Sequence, residues 1–509
     1  MTAANRPWIK LNTDDNVAVA LKPLTQGRAI AEGGVLLAED IPAGHKAALR
    51  RIPVGEAVIK YGQTIGFASQ DIAPGRHVHT HNVTLHDFTR DPACGRHAKP
   101  TRYVAEPERR SFQGFQRPGG TVGTRNYVGI LSTVTCSLGT ANLIARQFTP
   151  EVMARYPGAD GVVALGPASG CCMTPGGDGV AYLQAALAGY ARHPNFAGIL
   201  LLGLGCEQNL IESLLTATGL SPNERLRTLV IQEQGGTRST VDRGVSLVGE
   251  LLSMAGRQRR EPVSASRLIL GLECGGSDGY SGITANPALG AAADLLIRHG
   301  GTAVLSETPE IYGAEHLLTR RAVSHDVGEK LGERIRWWEQ YASRNGARLN
   351  NNPTPGNKAG GITTILEKSL GAAAKAGSTN LVDVVGFAEP VRRQGLVFMD
   401  TPGYDPVSVT GLTAGGVHLI GFTTGRGSVL GSKPAPTFKL ASNSELYGRM
   451  PEDMDVNCGR VLDEGLSVEQ MGAHIFDLIL ETASGRKTKS ELAGQGEWEF
   501  NPWYIGAVL

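Results

Sequence analysis

In the stretch His77-Val78-His79-Thr80-His81, three of the chain's 12 histidines fall on alternate positions. Alternation of period two is the pattern of a β-strand, where residues i, i+2 and i+4 share a face. His77, His79 and His81 are therefore candidate metal ligands. Adjacent members of such a face lie roughly 6–7 Å apart, which lets two imidazoles converge on one ion at about 2.1 Å each. The outer pair, about 13 Å apart on a straight strand, needs a bend or a separate task for one ring. A polar strand face without a ligand is the plain alternative.

Cysteine supplies a second donor set. Cys136, Cys171 (beside Cys172), Cys206 and Cys274 follow the apolar runs "NYVGILSTVTCS", "GVVALGPASGCC", "FAGILLLGLGCE" and "SRLILGLECGG". Ligands of open parallel sheets bind beyond the carboxyl ends of the strands. Thiols gathered there could hold iron, or an iron–sulfur cluster, with one coordination position left open. Cysteine is also a common small core residue, and no C-x-x-C pair marks a metal site. Seven cysteines in a chain of this length read as thiols or ligands rather than a disulfide framework. Asp278 in "GGSDG" is a ligand, a base or a turn residue, and Glu307, Glu310 and His316 in "LSETPEIYGAEH" are candidate general bases. Arg426 in "TTGRGS" and Lys358 in "PGNKAGG" are cations in glycine-rich loops, suited to a carboxylate or phosphate.

These residues need elements to carry them. Residues 1–88 alternate short apolar runs with Gly and Pro turns, the texture of a small all-β domain. Residues 89–118 are polar and proline-bearing, a linker by composition. From residue 119 apolar strand runs alternate with helical stretches, which implies parallel sheets covered by helices. The α/β region is divided near 262, giving parts 119–262 and 263–509. Glycine is abundant, 67 of 509 residues, against a usual ~7%. The glycines fit neither a dinucleotide fingerprint nor a Walker loop, so NAD and ATP are not expected. A net charge of +1 without a basic stripe argues against nucleic acid. No apolar run reaches ~18 residues, so no membrane span is expected, and a cytoplasmic protein is the default.

The ordered motifs "VIKYGQTIGFASQDIAPGRHVHTHN", "FQGFQRPGGTVGTRNY", "GLGCE", "LECGGSDGYSGITANPALG", "LSETPEIYGAEHL", "NPTPGNKAGGITTILEKSLG" and "TTGRG" together resemble the altronate/galactarate dehydratase family over nearly the whole chain. The resemblance implies an SAF-type (β-clip) N-terminal domain and a large Rossmann-like α/β catalytic region in two parts. It implies dehydration of a sugar acid such as D-altronate to a 2-keto-3-deoxy acid, with a divalent metal, iron before manganese. Within these motifs Ser277, Asn286 and Arg125 join Arg426 and Lys358 as expected substrate contacts. "HVHTHN" is closer to the altronate branch than the galactarate branch. One departure stands out: where the family usually reads S/T-H-x-Y-G-C, this chain has Pro167 for the His and Ser169 for the aromatic. That leaves open galactarate or another hydroxy acid, a lyase expelling sulfite from sulfolactate, or a relative that binds sugar acids without turnover. The expected partner is the small-molecule substrate, and a homodimer is compatible.

Overall fold

The computed structural model describes residues 7–30, 33–86 and 93–506. The N-terminal part is built from short antiparallel strands. Trp8–Ile9, Val17–Ala20, Lys46–Ala48 and His77–Val78 form one sheet in that order, and Ala57–Lys60, Gln63–Ala68 and Val83–Thr84 form another. Tight turns carry the chain between them. At Gly75 (φ 76°) an added Cβ would sit 2.0 Å from the Leu36 carbonyl oxygen, so only glycine fits.

The region 89–118, polar enough to read as a linker, contains the strand Ser111–Gln116. It pairs antiparallel with Glu261–Ser264 and with Val122–Gly123. This ribbon closes the base of a four-stranded parallel sheet, ordered Gly161–Leu165, Tyr127–Ser132, Phe196–Gly203, Leu226–Val230. Its central strands are buried along their whole length, as near-continuous apolar runs require when helices cover both faces.

The C-terminal part is a seven-stranded parallel sheet, ordered Leu381–Val385, Gly395–Met399, Thr302–Leu305, Ile269–Cys274, Leu419–Thr424, Thr437–Ala441, Val456–Asn457. Helices Ala285–Arg298 and Val468–Ala483 pack in its largest apolar core, and helix Asp405–Ala414 follows the strand Gly395–Met399. The architecture is the α/β class expected, with a small β domain ahead of two parallel sheets.

The β domain is held on the large sheet by a buried charge group. Glu367, on helix Ile365–Ala373, accepts from Lys46 Nζ (2.8 Å) and Lys60 Nζ (2.8 Å), and all three are nearly inaccessible. Burial pushes Lys46 down to about 8. Burial opposes ionisation of Glu367 too, but the two ammonium groups hold its carboxyl well below the usual range. Removing one member of such a group strands a buried charge, at about 3–5 kcal/mol.

Candidate active site

The antiparallel register that places Ala47 opposite His77 also brings in His45, which spacing along one strand cannot find. His45 Nδ1 lies 3.0 Å from His77 Nε2. Ring nitrogens of His45, His77 and His79 all lie within 4.8 Å of one another. The strand ends at Val78, and His79 enters a turn closed by His79 N–H to Asn82 Oδ1 (2.9 Å) and Asn82 Nδ2 to the His77 carbonyl (2.8 Å). This bend stacks the rings of His77 and His79, with centroids 5.4 Å apart. It leaves His81 exposed, outside the triad, so His45 stands where His81 was expected.

Burial, reinforced by the neighbouring imidazoles and the Lys46 ammonium, pushes His77 down to about 4 and His79 to about 3. Burial also lowers His45. The rings are thus neutral at pH 7, the form that binds metals. His79 Nδ1 is buried and has no hydrogen-bond partner among the described residues. Three neutral imidazoles, one with an unmet nitrogen, fit a first-row divalent cation.

The triad adjoins a cavity of about 520 Å³. His45 Nε2 faces the Ala359 carbonyl at 3.3 Å, and Ala43 and Ala359 both line the cavity. Lys22, Arg426 and Arg449 contribute positive charge to the lining, while Glu445 and Asp463 contribute negative charge. Asp278 forms part of the wall and braces it. Its Oδ1 accepts from Ser281 Oγ (2.9 Å) and Ser442 Oγ (2.8 Å), and its Oδ2 accepts from Asn443 Nδ2 (3.0 Å). Burial raises its carboxyl above the usual range. Gly425 passes so near that an added Cβ would sit 2.1 Å from Asp278 Cγ. Lys358 lies half-buried on the short helix Pro355–Ala359, started by a reciprocal Thr354–Asn357 cap. Asn357 Nδ2 also donates to the Ser277 carbonyl at 2.8 Å, holding this short helix against the Ser277–Asp278 loop.

Next to this wall in sequence, Cys274, Glu307 and Glu310 form a second group whose ligand atoms lie within 4.8 Å, all buried. Here the protein supplies the cations. Lys375 Nζ is 2.8 Å from Cys274 Sγ and 3.8 Å from Glu307, and Lys368 Nζ is 2.6 Å from Glu310 Oε1. Desolvation opposes the charge on Lys375, but Cys274, Glu307 and Glu273 hold it above its ordinary value. Glu307 sits at φ 66°, its two carboxyl oxygens buried without hydrogen bonds among the described residues. Burial, with Glu273 and Glu310 alongside, raises it well above the carboxylate range, so it is held as the neutral acid. Glu307 and Glu310, expected as bases, are sealed away from the cavity lining. Lys368 lies within the motif "NPTPGNKAGGITTILEKSLG" without being singled out there, and Lys375 follows it seven residues on, two helical turns on one face.

The remaining candidates are dispersed. Cys136, Cys171 and Cys206 lie exposed around the four-stranded sheet, whereas Cys274 is buried in the seven-stranded one, so the four thiols share no edge. His316 Nε2 meets Gln63 Oε1 at 3.2 Å, across the contact with the β domain. Asn286 donates to the Gly371 carbonyl (2.9 Å) and accepts from Thr423 Oγ1 (2.5 Å). Arg125 directs its guanidinium to Glu491 and to the carbonyls of Thr124, Thr482 and Arg486, within 2.7–3.0 Å. Committed to these partners, His316, Asn286 and Arg125 tie elements together, and none of the three is among the residues that line the cavity.

Three family models match in order. They are the altronate/galactarate dehydratase SAF domain over residues 6–86, the second domain of D-galactarate dehydratase/altronate hydrolase over 114–256, and the D-galactarate/altronate dehydratase C-terminal domain over 265–508. The chain is similar to an altronate dehydratase of Bacillus subtilis (strain 168), 37% identical over 96% of this chain and 97% of that one. An altronate dehydratase of Escherichia coli (strain K12) is 38% identical over 95% and 96%. The L-threo-forming galactarate dehydratase of the same strain is 35% identical over 94% and 93%.

Proposed function

The chain belongs to the altronate/galactarate dehydratase family, and from that premise we propose that it is a metal-dependent hydro-lyase converting a sugar acid, D-altronate first among them, to a 2-keto-3-deoxy acid. The observation that carries the metal site is the unpartnered, buried Nδ1 of His79 between two other neutral imidazoles, behind Ala43 and Ala359 of the cavity lining. His45, His77 and His79 would hold the ion, with iron favoured over manganese. A divalent cation there supplies Lewis acidity for the carboxylate and hydroxyl of the substrate.

The chain's own groups do the rest. Arg426 binds the substrate carboxylate, with the guanidinium fork suited to a bidentate grip. Lys358 takes the proton α to the carboxylate and returns one to the departing β-hydroxyl oxygen, as general acid–base work requires. Asp278, locked by its hydrogen bonds, keeps the loops that carry Ser277 and Arg426 in register. The mixed charge of the cavity favours an aldonate over an aldarate. Arg426 and Arg449 suit one carboxylate, while Glu445 and Asp463 suit hydroxyls and would repel a second carboxylate.

The test is a panel of aldonic acids, aldaric acids and sulfolactate, offered to anaerobically purified protein loaded with Fe²⁺. Keto-acid formation fastest with D-altronate is expected. Sulfite release, or binding without product across the panel, overturns the reading.

A further inference from the structure

Three thiols that the dehydration site does not use follow neighbouring strands of the four-stranded sheet. Cys136, Cys171 and Cys206 follow three neighbouring parallel strands, Tyr127–Ser132, Gly161–Leu165 and Phe196–Gly203. Adjacent strands lie about 4.8 Å apart, so the loops leaving their carboxyl ends start close together. Hydrogen bonds then bind these loops to one another beside each cysteine. Thr135, next to Cys136, donates its N–H to the Ser169 carbonyl (3.0 Å) and its hydroxyl to the Pro167 carbonyl (2.8 Å). Asn209 donates its N–H to the carbonyl of Gly170, which precedes Cys171 (3.1 Å), and its side-chain amide to the Thr133 carbonyl (3.1 Å). Glu207, next to Cys206 and 3% exposed, accepts from Thr133 Oγ1 (2.7 Å) and from Gly205 N (2.7 Å). At Gly170 an added Cβ would sit 2.5 Å from the Thr133 oxygen, so the loops touch with no room for a side chain.

Such bracing is out of proportion to solvent-facing loops, yet what it presents is exposed thiol. Cys136, Cys171, Cys172 and Cys206 are all exposed. Cys136 also lies in the first turn of helix Thr135–Ala145, whose N-terminus has no side-chain cap. Cys172 stands at φ 56°, with its Sγ 3.8 Å from that of Cys171. Pro167 gives this loop no competing nitrogen donor.

We propose that Cys136, Cys171 and Cys206 form a thiolate metal centre, separate from the histidine site, that binds an iron–sulfur cluster. Three thiolates leave one iron without a protein ligand, open to solvent or a small molecule. Cys172, turned by its left-handed backbone, is not a ligand.

The experiment uses the full chain, purified anaerobically and reconstituted with Fe²⁺ and sulfide. Expected are acid-labile sulfide, absorption in the 400 nm region and an electron paramagnetic resonance signal on reduction. Cys136→Ser, Cys171→Ser and Cys206→Ser should each lose most of the sulfide and absorption. Cys172→Ser and His79→Ala should retain both, and circular dichroism should confirm that every variant is folded. Wild-type protein without labile sulfide after reconstitution overturns the proposal. So does a stoichiometric Zn²⁺ ion on the three thiols in its place, or a cluster that survives all three ligand substitutions. Cluster loss in a variant that still binds Mn²⁺ at the histidines separates this centre from the dehydratase site.

Discussion

The histidine triad and the Cys274–Glu307–Glu310 group each gather three ligand-type side chains within 4.8 Å, yet the surroundings give them opposite meanings. The histidines pack next to Ala359 of the cavity lining, carry no charge of their own at neutral pH, and leave His79 Nδ1 unmet. The buried group is sealed and already holds its cations, Lys375 against Cys274 and Lys368 against Glu310. Proximity of donors therefore does not define a metal site. The deciding feature is whether the protein itself supplies the positive charge.

The largest expected effect tests the open side of this contrast. His79→Ala should abolish Mn²⁺ binding by isothermal titration and lower turnover by about a thousandfold, since Lewis-acid stabilisation is worth several kcal/mol. Glu310→Gln should keep the Mn²⁺ stoichiometry. Equal metal binding by His79→Ala and wild type breaks the comparison at once.

The sealed side answers in stability instead. Lys375→Met withdraws the buried ammonium that lies 2.8 Å from Cys274 Sγ and 3.8 Å from Glu307, and leaves these buried polar groups and the neighbouring carboxylates without it. Urea unfolding should show a loss of about 3–5 kcal/mol, with Mn²⁺ binding intact in the folded protein. His79→Ala, by contrast, removes a half-buried neutral ring, and its stability should change by no more than about 1 kcal/mol. If Lys375→Met proves as stable as wild type, the lysine is not the cation that the group depends on.

What could be read in the sequence tracks the range of the interaction. The apolar runs announced Tyr127–Ser132 and Phe196–Gly203, because a strand buried on both faces must be apolar throughout. His77 and His79 were visible because they sit two residues apart. His45 was not, because only pairing with a strand 32 residues away brings it to His77. The four cysteines shared a local texture, but texture does not reveal that Cys274 belongs to another sheet. Ser111–Gln116 hid within a proline-bearing polar stretch because the longer of its two pairings is with Glu261–Ser264, beyond the whole four-stranded sheet. Nothing local marks Glu307 for a left-handed backbone, a conformation only its surroundings can impose.

The finest test of the contrast lies at Asp405, the group through which the sealed cluster becomes sensitive to pH. Burial pushes this carboxyl up to about 7, helped by the negative charges of Glu310 and Glu273. Its folded value lies above its unfolded one, near 3.8, so the native state holds the proton more tightly. Its contribution is fully present below about pH 4, declines as pH rises toward 7, and is flat beyond that. Each tenfold gain in proton affinity corresponds to about 1.4 kcal/mol, so the decline is on the order of a few kcal/mol. Asp405→Asn, which mimics the protonated acid, should flatten that part of the stability profile between pH 4 and 7 when ΔG of unfolding is followed by urea titration. The histidine cavity lies outside this cluster, so Mn²⁺ affinity at fixed pH should be unchanged. A profile that keeps its full slope in Asp405→Asn would place the pH sensitivity in another carboxyl of the cluster, and Glu307→Gln is the variant that would then flatten it.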